Sequence, residues 1–493
     1  MLRPMPERLS AMDGSFLRVE TANAHMHVAW SATLRVAPGA SPPTVSRLRR
    51  SIAARLNAAP RFRKRLARPL PGMGEPFWVD DTRFDVAEHV LELGMRGEGL
   101  DDHRFGLLCD RVLSVPLSRS RPLWEIHLAP RLTGGRCGLV AKIHHALVDG
   151  KSALEVALLL FDLEPNAFAE LPPPWEPAPT PGTGRLAAGA LVSSGEELLR
   201  TARGAARLAG EPRVAPARIA GTLRRAALAV GEDLLRPAPA SALNARIGPR
   251  RTLVRHSASI ADLKRAARAH GATVNDAALA VVAGGLRALA LDRGEAPAPL
   301  KTMVPVNIRA PEERRSLGNR ISFAFIDLPL DADSPAERLA RVHAATVAFK
   351  RGERAAGADA VLSALGHLPD PLRGLAARMA AGPRVYNLTV SNIPGPRFPV
   401  YMLGAELLES HPVVPLAEGH ALSIGLFSYR EWLHFGLYAE PHAFPQVREL
   451  PGALGASLAD LLRAVSPRGT EQARVRRRPR SLASPALATV AAR

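Results

Sequence analysis

Alternating apolar and polar positions mark strands along most of the chain. His27–Val36, Cys137–His145, Arg251–Ser259, Lys301–Ile308, Ile321–Leu330, Val385–Ser391, Ala421–Tyr429 and Leu433–Ala439 are all rich in strand formers. Apolar residues recurring at helical spacing predict helices over Ser46–Asn57, Ser152–Phe161, Ile260–His270, Val274–Leu291, 335–352 and 445–465. Strands and helices alternate in both halves. The 493 residues exceed what one simple core holds, so the pattern predicts an α/β fold in two lobes.

The pattern breaks at Leu171–Gly184 (LPPPWEPAPTPGTG), whose prolines remove backbone donors and fix φ. Residues 185–240 are Ala/Arg/Leu-rich, with helical patches broken by Gly and Pro. The expected organisation is a first lobe over 1–170, a Pro/Ala-rich linker with loose helices over 171–240, a second lobe over 241–467 and a disordered basic tail over 468–493.

Charge narrows the partners. The net charge is +19, and the excess persists when the basic tail is left out. No nucleic-acid motif and no aromatic–basic interleaving accompany it, so nucleic acid is not expected. An anionic membrane surface or a phosphorylated co-substrate fits better. Two cysteines, Cys109 and Cys137, cannot build a disulfide framework or a zinc site, which predicts a reducing, cytoplasmic setting. The start MLRPMPERLS lacks the apolar stretch of a signal peptide, so the chain is not expected to be secreted. Ala277–Leu286, between Asp276 and Arg287, comes nearest to a membrane span but falls short of the roughly 18 apolar residues required. Any membrane contact is expected to be peripheral.

The strongest chemical signal is His144-His145-Ala146-Leu147-Val148-Asp149-Gly150, where an apolar strand meets a helix. Alternation along a strand sends adjacent histidines to opposite faces, so one can meet a cleft while the other packs. Asp149 can pair with an arginine to hold the loop, and Gly150 permits the tight turn. The two rings point apart and no third ligand stands at motif spacing, so no metal site is expected. On residue type alone the pair can be packed or catalytic.

HHALVDG matches the HHxxxDG signature of the CoA-dependent acyltransferase and condensation-domain superfamily. Arg8–Thr21 (RLSAMDGSFLRVET), Pro122-Leu123-Trp124, Asn275-Asp276, Ser391–Pro396 (SNIPGP) with Tyr401 and Gly404-Ala405, and Ala421–Leu437 follow in order. Together they resemble the bacterial wax ester synthase/diacylglycerol acyltransferase family over roughly residues 8–465. One departure is Glu431-Trp432, where the family pattern leads one to expect a small residue such as Gly.

The resemblance implies two chloramphenicol-acetyltransferase-like lobes with an active-site channel between them. It implies transfer of a long-chain acyl group from acyl-CoA to the hydroxyl of diacylglycerol or of a long-chain alcohol. No bound cofactor is implied; acyl-CoA is the co-substrate. His145 would be the general base, because imidazole titrates near neutrality and an alcohol needs its proton removed. His144 would be structural, Asp149 loop-organising and Gly150 the motif turn. Asn275 would donate to the oxyanion, unless it is only a helix N-cap. Pro122, Leu123, Trp124, Asp276, Ser391, Asn392 and Gly395 would contribute to substrate binding. A core role competes for Trp124, and Ser391–Gly395 is expected to be a Pro/Gly-stiffened loop. Oily substrates imply peripheral association with the inner membrane face or a lipid-droplet surface. Two alternatives are a condensation-type transferase using carrier-bound acyl groups and a non-catalytic lipid-binding protein of the same fold.

Overall fold

The computed structural model describes residues 5–70, 74–95, 97, 99–147, 156, 159–165, 175–193, 195, 199, 236–307, 321–351 and 370–465. A small sheet joins β1 (Glu7–Arg8), β4 (Phe77–Asp80) and β3 (Lys64–Ala67) near the N-terminus. Two six-stranded sheets make up the body. The first runs β12 (Tyr401–Met402), β13 (Ala405–Val413), β2 (His27–Arg35), β7 (Arg136–His144), β6 (Trp124–Leu132), β5 (Val90–Glu92). The second runs β10 (Ile321–Leu328), β9 (Leu300–Asn307), β11 (Leu388–Pro394), β14 (Leu422–Tyr429), β15 (Trp432–Ala439), β8 (Thr252–Ser259). The division of the chain near residue 240 is therefore not the division between the sheets, because 401–413 from the second half complete the first sheet.

β7 is covered on both faces, which explains its near-continuous apolar sequence. In the second half α4 (Ile260–Arg268), α5 (Val274–Asp292), α6 (Pro335–Arg351) and α8 (Leu450–Val465) pack on the second sheet. The 19-residue α5 is longer than the anticipated Ala277–Leu286 run. Among the described residues it is the one helix long and apolar enough to cross a membrane. It is buried continuously from Asp276 to Leu286 within the second core, which explains an apolar composition on every side.

Two anticipated elements differ, and a third is largely outside the described residues. The 445–465 stretch is a short 3-10 turn, Pro445–Arg448, followed by α8. Ser152–Phe161 lies mostly outside the described residues. Ser391–Pro394 is not a loop: β11 runs through it in parallel register with β14, from Thr389↔Ser423 to Pro394↔Ser428. On its other side β11 meets β9 only at Leu388 and Thr389, so Ser391–Pro394 have sheet support on one edge alone. In the β14–β15 hairpin, Arg430 takes the left-handed conformation (φ 52°) that a glycine would adopt freely.

β13 lies in the first sheet and packs against β14 and β15 of the second. Gly425 and Gly436 face each other across those two strands. A Cβ on Gly425 would stand 2.7 Å from the Pro412 carbonyl oxygen of β13, and one on Gly436 would overlap that oxygen outright. Around this crossing, Met26, Ala29, Phe105 and Val140 of the first half form one core with Ile247, Leu253, Val413 and Tyr438 of the second.

Candidate active site

β2 and β7 pair in register, with His27 opposite His144. His144 is the last residue of β7, and His145 lies in the turn beyond it. The His145 N–H donates to the Met26 carbonyl at 2.8 Å, and the His144 N–H donates to the Leu123 carbonyl at 3.0 Å. The turn is thus held from both neighbouring strands. Asp149 and Gly150 lie outside the described residues.

The two rings have different surroundings. His144 is buried; its Nδ1 accepts from the Ala146 N–H at 3.0 Å. A neutral ring must then carry its proton on Nε2, which faces the Glu20 carboxylate at 3.5 Å. Burial alone would raise the Glu20 carboxyl, but His144 and the Arg119 guanidinium outweigh it and hold it down to about 2. His144 is a brace.

His145 is only half-buried, with its ring stacked on Phe16 of α1 (Ala11–Val19) at 3.7 Å between centroids. Burial lowers its proton affinity to about 4, its own backbone carbonyl works in the opposite direction, and His144 adds to the lowering. The ring is neutral near pH 7. Nδ1 is buried without a hydrogen bond to any described residue. A neutral ring carries its proton on one nitrogen and a lone pair on the other, so it is equipped to take a proton from a hydroxyl.

Further polar groups line the same face of the first sheet. Buried His27 lies beside His25, their ring centroids 5.6 Å apart. Lys142 is buried and donates to the Val115 carbonyl at 2.8 Å and to Glu125 at 3.1 Å. The segment carrying these histidines is anchored to the second half by Thr21, which donates to Glu418 at 2.8 Å, and by Arg251, which contacts the Asn23 carbonyl. α1 itself packs on α7 (Asp370–Ala380). Phe16 and Glu20 were not singled out from sequence, although both sit in the Arg8–Thr21 segment that carried the resemblance.

The other candidates divide into four groups. Asn275 and Asn392 are brought together, Asn392 Nδ2 donating to Asn275 Oδ1 at 3.0 Å. Asn275 is not the N-cap of α5; that is Thr273, in a reciprocal capping box with Asp276. Asp276 bonds within its own half. It is buried, and it accepts from the Thr346 hydroxyl at 2.9 Å and meets His343 Nδ1 at 2.9 Å, both on α6 of the same half. With the Thr273 N–H, three hydrogen bonds hold its carboxylate.

Pro122, Leu123 and Trp124 are all buried, Leu123 and Trp124 within the first core. Trp124 stacks on His89 at 4.6 Å and donates its indole N–H to the Phe62 carbonyl at 2.8 Å. Their link to the site is the Leu123 carbonyl that holds His144. Ser391 is half-buried on β11. Gly395 closes on Ser428, its N–H donating to the hydroxyl at 3.1 Å, where a Cβ would overlap the Ser428 carbonyl and the Phe427 ring. Among the described residues no hydrogen bond joins Asn275, Asn392 or Gly395 to the His145 ring.

Burial depresses the proton affinity of His25, His27, His89, His145, His420 and His434. These rings stay neutral in the fold but take up protons near 6.5 once unfolded. Their contribution to stability is therefore complete above about pH 6.5 and is lost as pH falls towards their folded values. Glu20 and Glu409, both held at about 2, lose theirs only below the ordinary carboxylate range. The urea midpoint should thus drop between pH 7.5 and 5.5. An unchanged midpoint would contradict the buried neutral rings.

Two α/β lobes joined across a seam, with an HHxxxDG segment closing the central strand of the first, define the class of two-lobed acyl and condensation transferases. Comparison with known proteins narrows this. The wax ester synthase/diacylglycerol acyltransferase catalytic domain matches residues 9–278, and the C-terminal domain of the same family matches 317–462. The chain is 33% identical over 459 residues to tgs2, a probable diacylglycerol O-acyltransferase of Mycobacterium tuberculosis, covering 92% of this chain and 98% of that protein. It is 30% identical to tgs1 of the same organism over 471 residues, covering 93% and 96%. The wax ester synthase/diacylglycerol acyltransferase of Marinobacter aquaeolei superposes with a TM-score of 0.64 at 25% identity, over 93% of this chain and 99% of that one. A condensation domain of the calcium-dependent antibiotic synthetase, at 18% identity and a TM-score of 0.58, shares the fold. This chain belongs to the wax ester synthase/diacylglycerol acyltransferase family, and it is an acyltransferase.

Proposed function

We propose that the protein transfers a long-chain fatty acyl group from acyl-CoA to the hydroxyl of diacylglycerol, and to a long-chain alcohol where one is supplied, with His145 as general base. The observation that carries this is the half-buried, neutral His145 ring, stacked on Phe16 just beyond the end of β7. Nε2 takes the hydroxyl proton as the oxygen attacks the thioester carbonyl. The imidazolium then protonates the departing CoA sulfur, so no acyl-enzyme is needed. Asp149 and Gly150 would hold the loop that follows.

Asn275 is the proposed oxyanion donor. Its Oδ1 is taken by Asn392, so Nδ2 is the side-chain group left to donate. Asn275→Ala should lower kcat by about 10²–10³-fold with little change in KM. A wild-type kcat would remove the residue from the mechanism.

Association with a lipid surface is supported by α7, which exposes Leu375 and Met379 beside Arg378. The deciding experiment supplies labelled palmitoyl-CoA with diacylglycerol or hexadecanol in parallel and scores CoA release with lipid product. Turnover only with a carrier-bound acyl group would favour the condensation-type reading. Lipid binding without turnover would favour a non-catalytic role.

A further inference from the structure

Away from His145, three side chains converge at the crossing of the two sheets: Glu409 and His411 on β13, and His434 on β15. One carboxylate oxygen and two ring nitrogens lie within 4.8 Å of one another. Both rings are buried; His434 Nε2 has no hydrogen-bond partner among the described residues, and His411 Nε2 has only the Glu409 carboxylate within reach, at 3.4 Å and outside good hydrogen-bond geometry. Unpaired buried nitrogens carry a substantial cost and call for an explanation.

The other atom of each group is anchored. His411 Nδ1 faces the Phe435 carbonyl at 3.0 Å. A carbonyl only accepts, so Nδ1 carries the hydrogen and a neutral ring presents its lone pair at Nε2. His434 Nδ1 bonds the Ser257 hydroxyl at 2.8 Å, and Glu409 Oε1 accepts from the Thr33 hydroxyl at 2.9 Å. What remains, pointing inward, is Nε2, Nε2 and Oε2. Ligands fixed from behind in this way are the outer-shell pattern of protein metal sites.

We propose that Glu409, His411 and His434 bind a first-row divalent transition metal, Zn²⁺ by ligand type, which clips the two sheets together. His411 Nε2 and Glu409 Oε2 are 3.4 Å apart. Neighbouring ligands of a tetrahedral ion with bonds of about 2.0–2.1 Å stand at about that separation. Two imidazoles with one carboxylate suit zinc and disfavour Mg²⁺ or Ca²⁺, which take oxygen ligands. Glu409 also lines an adjoining ≈ 350 Å³ cavity, together with Asp102, Gly106, Thr252, Arg255 and Arg448.

The site is not placed to touch the thioester. His411 pairs with Ser31, which pairs with Val140, four residues before His144 on β7. At about 3.3 Å per residue that is roughly 13 Å along the sheet. The ion joins β13 to β15, and its role is structural.

The test uses the full chain with any affinity tag removed, stripped with chelator and titrated with Co²⁺. One Co²⁺ should bind per chain with the visible absorption of a four-coordinate site, and Zn²⁺ should displace it. Zn²⁺ should raise the melting temperature where Mg²⁺ and Ca²⁺ do not. Ser257→Ala, which leaves all three ligands in place, should weaken Zn²⁺ binding by about 10–100-fold. Glu409→Gln should lose stoichiometric binding while the chain stays folded. Less than stoichiometric Co²⁺ without a melting shift would overturn the proposal. So would variants that bind like the wild type, or a melting temperature that follows pH but not metal.

Discussion

Replacing His145 with alanine is expected to lower kcat for acyl transfer by about 10²–10⁴-fold, the range that general-base help supplies. KM should change little, because the ring acts on a proton rather than on the acyl chain. The fold should survive. His145 is half-buried, its side chain makes no hydrogen bond to a described residue, and its backbone N–H to Met26 remains. Lipid binding and the melting curve should stay close to wild type. His144→Ala should behave differently: it removes a buried ring that receives the Ala146 N–H and faces Glu20, so stability should fall along with activity. If His144→Ala abolished turnover in a fully stable chain while His145→Ala retained it, the base assignment would have to be reversed.

Gly436→Ala should cost about 3 kcal/mol or more, at the upper end of overpacking effects. Gly436 has no positive φ, so alanine is acceptable to the backbone and the whole effect is steric. The obstacle is the Pro412 carbonyl oxygen. A flexible side chain could swing away. A backbone carbonyl on a strand paired along β2 cannot move without shifting β13 and the first sheet with it. The urea midpoint should drop well below wild type, and turnover should fall because the seam between the lobes is disturbed. An unchanged midpoint would mean that the two sheets do not cross as described.

Much of the fold was legible in sequence. β2, β7, β8, β14 and β15 lie where alternation of strand formers put them, and α4 and α5 where helical spacing did. β13 was not legible. Its sequence, AELLESHPV, mixes acids, a histidine and a proline, because one stretch of it must pair with β2 while the same stretch packs on the second sheet. β11 was read three residues too early. Pro394 argues against a strand, but it sits where β11 has a partner on one side only, and there proline is tolerated. Trp124 and Asp276 belong to family motifs, and only the structure shows what holds each of them, the Phe62 carbonyl for one and the Thr346 hydroxyl for the other.

The amino-acid sequence by itself determined the α/β class, the family and the residue expected to do the chemistry, because strand periodicity and a motif of adjacent residues are local properties of the chain. Only the tertiary structure decided which histidine is braced and which half-open, that Phe16 and Glu20 serve them, and that Glu409, His411 and His434 meet. Those outcomes depend on burial and on contacts between segments far apart in sequence. A residue's dielectric surroundings and hydrogen-bond partners exist only once the sheets have crossed.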